Sequence, residues 1–301
     1  MTEQMNGSKL SGQLALVTGG GNGIGRACAH ALAALGAEVA VLDLGCDPTG
    51  AGPSEQAATG VAEEIRAEGG RAIGIFADVA DERSVATALE DLRKRSGPPQ
   101  IAVMAAAIMR NRMSFNMTEA EWSGVVDVHL FGTLHVLRGV LPAMVERDYG
   151  RIVTFTSIAG LFGVTGAASY AAAKAAIEAL TRTVADEYRD RDITVNAISP
   201  GARTRLGESA SATERGAAGQ QLAMGPLQQR TGLPQPKERG EPHHVARTVA
   251  ALCLPECRLT GACVHTTGNM VSIVPPWQRH QVIAAVGPGG LDLEHWAGAL
   301  R

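Results

Sequence analysis

The sequence predicts an α/β fold: one doubly wound domain whose mostly parallel sheet of seven strands carries helices on both faces. Three observations predict it. Short apolar runs alternate with helical patterns from residue 14 to residue 266, the signature of parallel strands joined by right-handed crossovers. The apolar runs show little polar alternation, as expected of strands covered on both faces. Aromatic residues make up only 4% of a chain that is 45% apolar, so the core is built from Ala, Val, Leu and Ile, which suits helices lying close on a sheet.

The elements follow in order. Residues 14–18 read as the first strand and 24–35 as a helix stopped by Gly36. Residues 38–43 form a second apolar strand, and 56–68 a helix that ends at Gly69-Gly70. A strand at 72–76 precedes a helix at 81–95, and 101–105 is a strand buried on both faces. Thr118 and Glu121 have the spacing of a capping box, which opens a long helix running towards Glu146. Residues 151–156 are the next strand, 168–189 a long Ala-rich helix, 194–198 a strand, 243–254 a helix and 262–266 the last strand. No linker divides the pattern, so 10–274 read as one domain. Within it, 201–242 is rich in Gly, Gln, Ser, Ala and Pro, and is either a functional lid or a solvated insertion. The tail 275–301 holds Trp277 and Trp296, which suggest docking onto the same subunit or a neighbour.

Composition narrows the classes of function. Charged residues are 19% of the 301, below the usual quarter or so, and with so many apolar residues this excludes a disordered chain. The 36 glycines have no three-residue period, which excludes collagen. Lys and Arg number 27 against 30 Asp and Glu, so the chain lacks the basic footprint of a nucleic-acid partner. Residues 1–9 are polar and lack the apolar core of a signal peptide, and the run 101–109 is too short to span a bilayer. The expectation is a cytoplasmic protein with no membrane partner. Five cysteines, at 28, 46, 253, 257 and 263, form an odd, scattered set. The last three lie near His243, His244 and His265, but the spacing matches no zinc pattern, and no metal is expected.

Between the first strand and the first helix stands Thr18-Gly19-Gly20-Gly21-Asn22-Gly23-Ile24-Gly25. Glycines there permit a tight turn and let the backbone approach a diphosphate at a helix N-terminus. A flexible turn is the bland alternative, and the position after a strand and before a helix argues against it. Asp43 ends the second strand. A carboxylate there accepts hydrogen bonds from adenosine ribose hydroxyls and repels a 2′-phosphate, which favours NAD over NADP. A turn aspartate is the alternative.

Ser157 follows the strand at 151–156, and Tyr170 and Lys174 lie further on, four residues apart on one helix face. A phenol titrates near 10, too high for a base at neutral pH. A cation roughly 4 Å away at an effective dielectric near 20 is worth about 4 kcal/mol, or about three pKa units. The pair therefore makes chemical sense as a proton donor and acceptor for an alcohol or carbonyl. Alone, Tyr-x-x-x-Lys is common on surface helices; the upstream serine and glycine loop single this one out.

These motifs together resemble the short-chain dehydrogenase/reductase family, over about residues 10–268. The resemblance is carried by Thr18-Gly19-x-x-x-Gly23-x-Gly25, Asp78-Val79, Ser157, Tyr170-x-x-x-Lys174 and Asn196-x-x-x-Pro200-Gly201. It implies a Rossmann-type dinucleotide-binding and catalytic domain at 10–274, with 201–242 as its substrate loop. It implies Tyr170 as general acid/base, Ser157 holding the substrate oxygen, and Lys174 binding the nicotinamide ribose and lowering the Tyr170 pKa. It implies cofactor contacts from Gly19, Gly21, Asn22, Gly23, Ile24, Gly25, Asp43 and Leu44. Asp78 and Val79 are placed at the adenine, with Ala105 and Ala106 as further contacts. Pro200 and Gly201 are placed under the nicotinamide, with Thr204 near its carboxamide. Further matches at 43–53, 109–117, Val128-His129-Leu130-x-Gly132 and 202–205 resemble the branch that includes the hydroxyacyl-CoA dehydrogenase part of peroxisomal multifunctional enzymes.

The chain departs from the family pattern twice. Met104-Ala105-Ala106-Ala107 stands where the family has Asn-Asn-Ala-Gly, so apolar packing replaces polar bracing of the sheet. His129 replaces a helix asparagine that helps hold a proton-relay water; it is either a relay residue or a satisfied structural histidine. The implied function is an NAD-dependent oxidoreductase for a bulky hydrophobic secondary alcohol or its ketone. The alternatives are a biosynthetic ketone reductase and a catalytically weak NAD-binding regulator. Met109, Met113, Phe162 and 201–242 are expected to line an apolar pocket, while Arg110, Arg112 and Arg203 either meet a CoA phosphate or face water. The resemblance also implies a homo-oligomer, a dimer or tetramer, joined through 118–146 and 168–189.

Overall fold

The computed structural model describes residues 9–211 and 240–274. Seven strands run parallel: β1 (Leu14–Thr18), β2 (Glu38–Asp43), β3 (Arg71–Phe76), β4 (Ile101–Met104), β5 (Gly150–Phe155), β6 (Ile193–Gly201) and β7 (Cys263–Thr267). An eighth, β8 (Met270–Val274), pairs antiparallel with β7, and the sheet order is β3-β2-β1-β4-β5-β6-β7-β8. The expected seven-stranded sheet is therefore corrected to eight. β8 turns back immediately after Gly268 (φ +55°) and leaves Val271 and Ile273 exposed, so it lacks the continuous apolar run of the buried strands.

Alternate residues of each central strand feed two cores. On one face Ala15 and Val17 of β1 pack with α1 (Gly23–Ala34), α2 (Gln56–Ala67) and the helix Pro242–Leu252. On the other, Leu14 and Leu16 pack with α3 (Glu82–Ser96), the helix Gly132–Glu146 and the end of Ala168–Glu187. Both faces are thus sealed, which is why the strands read as unbroken apolar runs.

The long helix expected from Thr118 is interrupted. Thr118 and Glu121 form the capping box of α4 (Glu119–Val126), a five-residue π-turn covers 127–131, and α5 (Gly132–Glu146) follows. Such turns are frequent at functional sites, and this one swings His129 inward. A short α6 (Ile158–Phe162) precedes α7 (Ala168–Glu187). Within the expected irregular segment, Arg205–Ser211 is helical (α8), and Pro242 begins the last helix, α9 (Pro242–Leu252). The rest of that segment, 212–239, and the tail with Trp277 and Trp296 lie outside the described residues.

The cysteines and histidines weighed as metal ligands are dispersed. Cys253 caps α9, Cys263 is buried on β7, His265 bonds Ser199, and the rings of His243 and His244 are tilted against each other with centroids 4.1 Å apart.

Arg151 ties the lower end of the sheet together. It is fully buried in β5, and its guanidinium donates to the carbonyls of Gly150, Asp192, Leu254 and Pro255 and pairs with the Asp192 carboxylate at 3.0 Å. Arg151→Met leaves these acceptors without a donor and is expected to cost about 3 kcal/mol of stability. Urea unfolding measures it, and a loss below about 1 kcal/mol would mean that water replaces the guanidinium.

Candidate active site

The C-terminal ends of β1 and β4 diverge at the point where the strand order reverses, and a cavity of about 470 Å³ opens there. The glycine turn after β1 forms its floor. Gly19 (φ +64°) lies against the backbone of Ala105 and Ala106, where a Cβ would come within 2.6 Å of the Ala106 Cα. A Cβ on Gly25 would collide with the Gly19 carbonyl. The small residues at 105 and 106 complete this close approach, and the Ala105 amide donates to the Thr18 carbonyl at 3.1 Å. Asn22 caps α1, its side chain accepting from the Gly23 amide at 3.1 Å. The open cradle and the positive end of α1 suit a diphosphate.

Asp43 closes one part of the cavity. Its two oxygens accept from the amides of Gly21 at 2.8 Å and Gly45 at 2.6 Å, so the carboxylate is held rigidly at the edge of the glycine loop. Asp78 is oriented by the Ala80 amide at 2.9 Å and lines the cavity beside Val79.

The opposite structural support comes from β5, α6 and α7. Ser157 is the N-cap of α6, and its oxygen accepts from the Ala159 amide at 3.1 Å. Gly160 lets α6 press onto α7, since a Cβ there would stand 2.7 Å from the Ala175 nitrogen. That contact brings Ser157 near Tyr170, close enough to act on its phenol. Lys174 is buried one turn below, with Nζ donating to the Phe155 carbonyl at 2.7 Å and lying 5.5 Å from the centre of the Tyr170 ring.

The electrostatics correct one expectation. Burial raises the Tyr170 phenol above its ordinary value, while Ser157 works the other way. The Nζ of Lys174 faces the Phe155 carbonyl and the ring rather than the phenol oxygen, and burial brings Lys174 itself down to about 7.

His129 is buried with its ring edge-on to Tyr170 at 5.3 Å. Nε2 accepts from the Ile108 amide at 3.1 Å in one tautomer and donates to the Ile108 carbonyl at 2.7 Å in the other. Nδ1 is buried and without a partner among the described residues. Burial first, and then the Lys174 charge, hold this ring well below the usual histidine range, so it is neutral.

Of the residues picked out from sequence, Gly19, Asn22, Gly23, Ile24, Gly25, Asp43, Leu44, Asp78, Val79, Ala105, Ala106, Tyr170, Lys174, Pro200 and Thr204 line this one cavity. Gly21, Ser157, His129 and Gly201 are not among the residues that line it. Met109, Met113 and Phe162 do not line it; Met113 is largely exposed beside the turn at 114–116. Arg110 is held by the carbonyls of Thr49 and Ala120, both at 3.0 Å, Arg112 pairs with Glu121, and Arg203 with Glu241. The wall formed by Cys46, Asp47, Pro48 and Gly50 was missed as cavity lining, although its Gly/Pro-rich composition marked it as a loop.

A doubly wound sheet with a glycine turn at its switch point and a Ser, Tyr and Lys trio beside it is the framework of a Rossmann-like oxidoreductase. A family model described as short chain dehydrogenase matches residues 13–215. A 3-oxoacyl-(acyl-carrier-protein) reductase of Pseudomonas aeruginosa is 34% identical over 87% of this chain and 98% of its own. The peroxisomal multifunctional enzyme type 2 of Mus musculus is 36% identical over 90% of this chain, which spans 34% of that longer protein. The crystal structure of a short chain dehydrogenase from Mycobacterium avium superposes with a TM-score of 0.76 at 30% identity, covering 97% of this chain and 94% of that one. The chain belongs to the short-chain dehydrogenase/reductase family, oxidoreductases that act on CH–OH groups with a nicotinamide cofactor, NAD or NADP.

The buried amine makes stability depend on pH. Unfolded, Lys174 holds its proton up to about 10.5; folded, it loses it near 7. The unfolded state binds more protons across that window, so stability rises with pH there, by up to about 1.4 kcal/mol per pH unit. Lys174→Met is expected to lose this slope. Urea unfolding of both proteins at about pH 7.5 and about pH 9.5 tests it, and parallel pH dependences would refute the buried amine.

Proposed function

We propose that this chain is an NAD-dependent oxidoreductase that interconverts a bulky hydrophobic secondary alcohol and its ketone, with Tyr170 as general acid/base. One observation carries the reading: Tyr170 and Lys174 share a single cavity with the glycine loop and Asp43. The cradle that a Cβ would fill at Gly19 and Gly25 fits a dinucleotide. Asp43 favours NAD, because a carboxylate pinned by two amides cannot swing away from a 2′-phosphate. Ile108, Val128 and Leu206 give the cavity apolar surface for the substrate. We also infer a homo-oligomer, on the resemblance alone, and propose a cytoplasmic location.

When bound, the nicotinamide accepts or supplies the hydride. Ser157 holds the substrate oxygen beside the Tyr170 hydroxyl. In oxidation Tyr170 takes the carbinol proton; in reduction it returns it. Lys174, at about 7, is matched to receiving or supplying that proton near neutral pH. His129, edge-on to Tyr170 with its Nδ1 unpartnered among the described residues, is the position from which a relay water would pass that proton onward. The raised Tyr170 favours a second reading in the reducing direction, because a phenol that keeps its proton is ready to donate it to a ketone.

Tyr170→Phe is expected to bind NAD normally while turnover falls at least about 100-fold, the low end for a lost acid/base group. Calorimetric binding and steady-state oxidation of hydrophobic secondary alcohols read the two effects, and near-normal turnover would sink the assignment. Asp43→Ala is expected to reduce the preference for NAD over NADP by about tenfold, roughly 1.4 kcal/mol. An unchanged ratio of kcat/KM for the two cofactors would remove Asp43 from that role.

A further inference from the structure

The glycine loop lacks a cation. No Lys or Arg lies between Thr18 and Gly25, and Arg26 is engaged with Glu64 at 2.7 Å on the outer side of α1. The N-terminus of α1 offers the equivalent of about half a positive charge. A diphosphate brings a full negative charge on each phosphorus, so the loop alone leaves most of that charge uncompensated.

Three cations line the cavity: Lys174, Arg110 and Arg205. Lys174 is spent on the Phe155 carbonyl and Arg110 on those of Thr49 and Ala120. Arg205 is exposed at the start of α8, and among the described residues it has no hydrogen-bond or ion-pair partner. Its predecessor fixes where it stands. Thr204 packs against the first residue of α1, its Cγ2 lying 3.8 Å from the point where a Gly23 Cβ would be. The Thr204 oxygen in turn accepts from the Gly207 amide at 3.2 Å, which holds the first turn of α8 in place. Arg205 therefore lines the same cavity as Gly23, Ile24 and Gly25.

We propose that Arg205 binds the diphosphate of the dinucleotide and supplies the positive charge that the glycine loop lacks. This rests on the reading of the cavity as a dinucleotide site. It is separate from the choice between NAD and NADP, since Asp43 meets the loop at Gly21 and Thr204 meets it at Gly23. The guanidinium suits the role because its forked donors match phosphate oxygens, and its exposure leaves it free to turn towards them.

Calorimetric titration of the full chain with ADP-ribose, NAD, NADP and adenosine tests the proposal. Arg205→Gln is expected to weaken the three diphosphates by the same factor of about ten, with adenosine unchanged and the salt dependence of ADP-ribose binding reduced. Arg205→Lys should recover part of the loss. ADP-ribose affinity within about twofold of wild type would overturn the proposal while leaving the dinucleotide reading intact. An equal loss for adenosine would also overturn it, as a general disturbance of the site. Failure of the wild-type chain to bind ADP-ribose would overturn both.

Discussion

Lys174 Nζ reaches from α7 to the carbonyl of Phe155 at 2.7 Å, and the elements joined by that bond hold the reactive side chains in register. Phe155 ends β5, and Ser157 follows two residues on; Tyr170 lies one turn before Lys174 on α7. Thr156 reinforces the join, its hydroxyl donating to the Lys174 carbonyl at 2.8 Å. The amine is buried at a cost that its single carbonyl partner only partly offsets, which is why it sheds its proton near neutrality. Structural brace and proposed proton carrier are thus one group.

The other half of the cavity depends on the absence of side chains. Gly19 and Gly25 let three stretches of backbone meet at the top of β1, and Ala105 and Ala106 continue that contact at the top of β4. Asp43 then fastens β2 to the loop through the Gly21 amide. Met104 and Ala105 in place of the family's asparagines fit this geometry, because Met104 points into the core while Ala105 lies against the Gly19 backbone.

Sequence periodicity revealed the strands that are covered on both faces, because their apolar runs record that burial directly. It was blind to β8, which alternates at the sheet margin, and to the break at 127–131, where the apolar residues continue without interruption. Tyr170 and Lys174 were legible as a pair because four residues make one helical turn. The direction in which Nζ points was not, since that depends on the Phe155 carbonyl arriving from a distant strand. Arg110, Arg112 and Arg203 were conspicuous in the sequence yet are engaged with the protein; Arg205 differs only through its three-dimensional neighbourhood.

The pairing pattern also has a kinetic side. From β3 to β7 every neighbour relation is parallel, so each requires a crossover, and only β7 and β8 are joined by a tight hairpin. Pairing of β1 with β4 must wait until the chain has passed through β2 and β3, so closure of long loops precedes any reward from this contact. The crevice lies along that seam. Ligand capture during refolding therefore reports completion of the central sheet, whereas helix content reports much earlier events.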